Sequence, residues 1–243
     1  MVTNTTSGAS SGTLQDAVSA ASPGATLQVS GTCTGTTPIG KSLTLTGVGP
    51  SPTLDGNGAG SVLFINSGAM VEVSGLSITG GRADFGGGID NLGVLTLDSA
   101  TVSGNTALRQ GGGIESHGTL TLDSATITGN TAGGGGGIAV DTFGSVTLNE
   151  GTTVSHNTVR ASGGGIANSG SVTLNDSATI NSNTAGISGG GVWNRGRVSL
   201  NDSATIDGNT AGTSGGGVFN GPGGTVTGNL GNVSGNNPDN IAP

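Results

Sequence analysis

From about residue 86 onward, apolar and polar residues recur along the chain with a single period. An Ile or Val closes a run of glycines at Ile89, Ile114, Ile138, Ile166, Val192 and Val218. An Asn-Thr pair recurs at Asn105, Asn130, Asn157, Asn183 and Asn209, and within each series successive positions lie 24 to 28 residues apart. Between these markers each repeat holds short stretches of strict alternation. Leu95 and Leu97 face one way and Thr96 and Asp98 the other, and the pair returns as Leu120/Leu122, Val146/Leu148, Val172/Leu174 and Val198/Leu200. A further inward column reads Val102, Ile127, Val154, Ile180 and Ile206. A fixed period of this length marks a solenoid, in which one turn cannot bury its own apolar side and must stack on the next.

Three inward columns per turn, separated by polar or glycine corners, predict an all-β fold: a right-handed parallel β-helix (β-solenoid) of triangular cross-section. With like residues stacked about 4.8 Å apart, some eight or nine coils make a rod roughly 40 Å long. The expected organisation is one β-solenoid domain over 1–243, with regular repeats over 86–230 and less regular coils over 25–85. Residues 1–24 form an N-terminal cap and 231–243 a C-terminal one. The N-terminal cap is predicted to be a short helix, with Thr13 as N-cap, apolar residues at Leu14, Ala17, Val18 and Ala21, and Pro23-Gly24 as its stop. The repeated Asn residues sit at corners, where stacked amides can satisfy one another and the bent backbone.

Composition sharpens this picture. The chain has 52 glycines, no tyrosine, and only 8% charged residues. Its mean hydropathy is +0.03, far from the hydrophilic, highly charged signature of disorder. A net charge of −8 with six Lys and Arg argues against a nucleic-acid partner or an anionic membrane surface. The single Cys33 permits no intramolecular disulfide and reads as a small buried residue. No apolar run approaches the ~18 to 20 residues of a membrane span, and no basic segment with an apolar stretch follows Met1.

The GGGI/GGGV-x-N motifs, the segment from Leu95 to Ala107 with its counterparts, and Leu76-Ser77-Ile78-Thr79-Gly80-Gly81 carry a family resemblance. So do the capping segment Gly12 to Val18 and the ending Asn237 to Asn240. Together they resemble the β-helix repeats of bacterial secreted and surface proteins, and are similar to the passengers of polymorphic outer-membrane-type autotransporter adhesins. The resemblance spans nearly the whole chain. It implies a secreted or cell-surface location, with the signal peptide absent from this chain, and an adhesin-like binding or structural role.

Catalytic polysaccharide lyases and hydrolases also use β-helices, so the carboxylates need weighing. Asp98, Asp123, Asn149, Asn175 and Asn201 form one outward column, and Ser99, Ser124, Glu150, Asp176 and Asp202 its neighbour. Acids stack there without a basic residue in the same columns and without an insertion that builds a cleft. They read as a solvated edge, with calcium ligation or catalysis as the alternatives. His117 and His156 fall in unrelated registers, which disfavours a shared metal site, and Arg82, Arg109 and Arg160 recur before the glycine runs as a solubilising edge. The expectation is therefore a non-enzymatic protein without a catalytic residue, metal or cofactor.

The regular surfaces are the candidates for binding. Thr101, Thr126, Thr153, Thr179 and Thr205 form one outward rank on the third strand, beside Ser103, Thr128, Ser155, Asn181 and Asp207. Two ranks of hydroxyls and methyls on a flat sheet resemble the faces of β-solenoid ice-binding proteins, although threonine suits any exposed strand. The column after the glycine-run Ile or Val reads Asp90, Glu115, Ala139, Ala167, Trp193 and Phe219. Trp193 and Phe219 are expected side by side, either packed under the C-terminal tail or open as a sugar- or protein-binding patch. The leading expectation is a monomeric, adhesin-like module that binds a polysaccharide or protein; ice binding is the alternative and polysaccharide cleavage a lesser one.

Overall fold

The computed structural model describes residues 1–243. Each repeat folds as its alternation dictates, and the repeats stack into a parallel β-solenoid of about eight turns. In one representative turn, Ile89–Asn91 lies in register between Leu63–Ile65 and Ile114–Ser116. Val94–Asp98 lies between Met70–Ser74 and Thr119–Asp123. Thr101–Ser103 lies between Ser77–Thr79 and Thr126–Thr128. These three ladders place like on like, so Ile89, Ile114, Ile138 and Ile166 meet down one column. The inward columns merge into one core of 48 buried residues, Cys33 among them.

A fourth ladder departs from the triangular expectation. Thr106–Gln110 pairs with Arg82–Phe85 on one side and Thr131–Ala132 on the other, and the series runs on through Thr158, Thr184 and Thr210. The Asn-Thr corner is thus a short side of its own. Its inward residues, Ala107, Ala132, Val159 and Ala185, form a separate small apolar cluster. Mostly alanine methyls fill it, and so small a hydrophobic signal does not stand out in the repeat pattern.

Both ends are closed. The helix Leu14–Ala20 is capped by Thr13, whose hydroxyl accepts from the Asp16 N–H at 3.1 Å and donates to its carboxylate at 2.8 Å. It buries Leu14, Ala17 and Val18, and Lys41 donates to the carbonyls of Ser19 and Ala21 at its C-terminal end. Val2–Asn4 adds an antiparallel strand to Ala25–Thr34, covering part of the exposed sheet edge. At the other end, Asp239 accepts from the N–H groups of Gly215 and Gly216, and Ile241–Ala242 lays a last strand on the first ladder.

The corner asparagines form a continuous buried ladder. Asn105, Asn130, Asn157, Asn183 and Asn209 each accept backbone and amide bonds from the preceding turn or donate to the next, and Asn236 continues the series. The glycine runs have a steric cause. A Cβ on Gly137 would sit 2.7 Å from the Gly165 carbonyl oxygen and 2.9 Å from Asn157 Nδ2, closer than a side chain allows.

Candidate functional site

The third ladder holds the expected hydroxyl ranks in register. Thr101, Thr126, Thr153, Thr179 and Thr205 are directly paired rung by rung, and so are Ser103, Thr128, Ser155, Asn181 and Asp207. The first rank is half-buried throughout. The second is less uniform: Ser155 is only 6% exposed, and its hydroxyl donates to Thr128 at 3.3 Å. Thr179 likewise donates to Thr153 at 3.3 Å. Some hydroxyls therefore bond along the face, which satisfies them without a ligand. The fourth ladder contributes a further rank, with Thr131, Thr158, Thr184 and Thr210 exposed.

The acid columns at the second corner are largely explained by the backbone. Ser99, Ser124, Asp176 and Asp202 all have φ of 50 to 53°, a left-handed conformation that Asp tolerates better than most residues. Asn149 donates to Asp123 at 2.6 Å, Asn175 to Asn149 at 3.0 Å and Asn201 to Asn175 at 2.9 Å. This column is an amide-capped ladder, which accounts for its residue types.

Trp193 and Phe219 are paired on adjacent rungs of the first ladder, and the Ile241–Ala242 strand lies beyond Phe219. Both rings are half-buried. The Arg195 guanidinium lies 4.7 Å from the centre of the Trp193 ring, within cation–π range. Trp193 also lines an open groove of about 490 Å³ with Leu108, Arg109, Gln110, Ser162 and Ala167. A second groove of about 280 Å³, lined by Arg82, Thr106, Thr131 and Arg160, shares Leu108 and Gly133 with the first. The three recurring arginines are thus gathered along one side of the rod.

The same column that carries the aromatics holds a partly buried pair of acids at its other end. Asp90 and Glu115 are paired on adjacent rungs. Glu115 is only 3% exposed, and Gly111 approaches its backbone so closely that a Cβ there would lie 2.8 Å from the Glu115 Cα. One carboxylate oxygen of each, Asp90 Oδ1 and Glu115 Oε2, is buried without a hydrogen-bond partner. His117 bonds through Nδ1 to Asp141 at 2.9 Å and places Nε2 3.9 Å from Glu115 Oε1. Burial pushes the Glu115 carboxyl up to about 7; His117 pulls it down, while Asp90 and Asp141 push it further up. Burial also raises Asp90, whereas the Thr142 N–H and His117 hold Asp141 low.

This cluster was not among the residues expected to act, yet its pieces are visible in the sequence. Asp90 and Glu115 occupy one repeat position, and His117 and Asp141 each lie three residues beyond the Ile of their own repeat. Reading columns singly hides the group, because it forms only when two columns are laid side by side. No protein-family model matches the chain, and no match is found among characterised proteins or solved structures.

Proposed function

We propose that the chain is a non-enzymatic, secreted or cell-surface binding module, adhesin-like in the manner of the polymorphic outer-membrane-type passengers that its repeats resemble. One observation carries this reading. The accessible outward positions form regular ranks of threonine, serine and amide side chains, while Glu115, at the centre of the grouped carboxylates, is only 3% exposed. A surface of this kind offers repeated contacts to an extended partner, and the buried Glu115 carboxyl is closed to a scissile bond. The purified chain is expected to bind a surface polysaccharide or protein saturably, without releasing reducing or unsaturated sugar ends. Cleavage products that vanish in Glu115→Gln or Asp123→Asn would overturn it.

A second reading rests on the in-register threonines from Thr101 to Thr205. Such a rank, with Ser103, Thr128 and Ser155 beside it, could order water on a lattice and bind ice. On that reading the chain shows thermal hysteresis and shapes ice crystals. Replacement of Thr126 or Thr153 by tyrosine then removes both effects without unfolding the chain. Absence of hysteresis in the unaltered protein rejects ice binding and leaves the adhesin-like reading in place.

A further inference from the structure

The chain carries 14 Asp and Glu against six Lys and Arg, so its few cations would ordinarily find carboxylate partners. They do not. Both ion pairs in the structure belong to His117, which leaves all five guanidinium groups without a carboxylate. Three of them, Arg82, Arg109 and Arg160, line the two contiguous grooves along the fourth ladder, and neither groove is lined by an Asp or Glu. Arg109 is steadied over the Phe85 ring, 4.9 Å from its centre. Stacking of this kind holds the guanidinium plane while its N–H edge stays free to bind an anion.

We propose that these grooves form one subsite for an acidic, uronate-containing polysaccharide, with Arg82, Arg109 and Arg160 reading its carboxylates and Trp193 and Leu108 receiving its sugar rings. The proposal deepens the binding-module reading and rests on it. Arg82 is in register with Thr106, Thr106 with Thr131, and Thr131 with Thr158, two residues before Arg160. The two outer arginines therefore rise from backbone positions three rungs apart, about 14 Å. A polymer with repeating carboxylates can engage both; a single small acid cannot. Guanidinium groups bind carboxylates through paired N–H donors. Leu108, 61% exposed and shared by both grooves, and the half-buried Trp193 offer apolar surface to the C–H faces of sugar rings. That apolar floor favours a glycan over an acidic peptide or a bare phosphate chain.

The test is calorimetric titration of the full chain with polygalacturonate oligomers, alongside neutral dextran, dextran sulfate and polyglutamate. Polygalacturonate is expected to bind saturably and more weakly as salt rises. Arg109→Gln and Arg160→Gln are each expected to weaken it about tenfold, and Trp193→Ala to weaken it at an unchanged thermal midpoint. Equal binding of polyglutamate, or tighter binding of dextran sulfate, would reduce the site to charge alone and overturn the uronate assignment. Binding of dextran unaffected by the arginine changes would sink the acidic subsite and leave the binding-module reading standing. Failure of every glycan to bind would likewise end the subsite proposal, whereas cleavage of the polygalacturonate would instead end the non-enzymatic reading.

Discussion

Replacing Asn157 with alanine is expected to lower the unfolding free energy by about 3 to 5 kcal/mol. The side chain is fully buried and makes four hydrogen bonds. Its Oδ1 accepts from the Asn130 backbone N–H at 2.9 Å and from Asn130 Nδ2 at 3.0 Å. Its Nδ2 donates to the Ile127 carbonyl at 2.9 Å and to Asn183 Oδ1 at 3.0 Å. Truncation removes one side chain but strands polar groups on three neighbours, and a buried unpaired polar group costs about 1 to 3 kcal/mol. Asn157→Asp makes a sharper comparison. It keeps the shape, but an ionised carboxylate cannot donate to Ile127 or Asn183 and is itself costly to bury. The expected order of stability is wild type, then both variants well below it. Urea unfolding followed by circular dichroism would measure this, with Asn201→Ala on the exposed amide column as control. A loss at Asn157 no larger than at Asn201 would show that the corner ladder is not a main source of stability. Because repeats interact chiefly with their neighbours, a break in the middle is also expected to broaden the transition.

The second large effect is a fall in stability as pH rises from about 4.5 to 7. The Glu115 carboxyl is raised from 4.5 to about 7 in the folded chain. Between those values the folded state holds a proton that the unfolded state has released, so the slope of unfolding free energy against pH is negative. Over the whole window the loss is about 3 kcal/mol. Asp90, raised from 3.8 by its own burial, acts in the same direction from a lower starting pH. Asp141 acts oppositely: its lowered carboxyl adds stability above 3.8, which is lost as pH falls through its folded value. Glu115→Gln keeps a neutral amide in place and is expected to flatten the decline and make the variant more stable than wild type near pH 8. Urea midpoints of the two proteins across pH 4.5 to 8 decide the matter. Parallel profiles, with no difference that grows with pH, would mean that Glu115 is charged in the folded state.

Several features of the candidate surface were legible before any fold was known. The period places Thr101, Thr126, Thr153, Thr179 and Thr205 in one rank, and the structure pairs them rung by rung. Trp193 and Phe219 are likewise adjacent, as their shared repeat position requires. The grooves were harder to see. Arg82, Arg109 and Arg160 recur at similar places before the glycine runs, but that recurrence is equally compatible with a solvated edge. Whether such arginines meet carboxylates depends on loop paths across neighbouring turns, and spacing within a repeat carries no record of those paths.

What the chain's pattern settled is the stacking. Alternating leucines, valines and isoleucines can be buried only if turns lie in register, and a repeat of constant residue types makes every register but one costly. The parallel solenoid, its apolar columns and its stacked corner asparagines follow from that requirement, and the helical cap follows from its own N-cap Thr13 and apolar spacing. Tertiary structure decided what happens where columns meet. The fourth ladder exists because alanine methyls fill a narrow space that only the assembled corner defines. The assembled turns leave Glu115 only 3% exposed, and burial then changes its protonation without changing its identity. The arginines face grooves free of carboxylates. Burial and electrostatics are properties of what surrounds a residue, and for these residues the surroundings come from turns about 25 positions away in the chain.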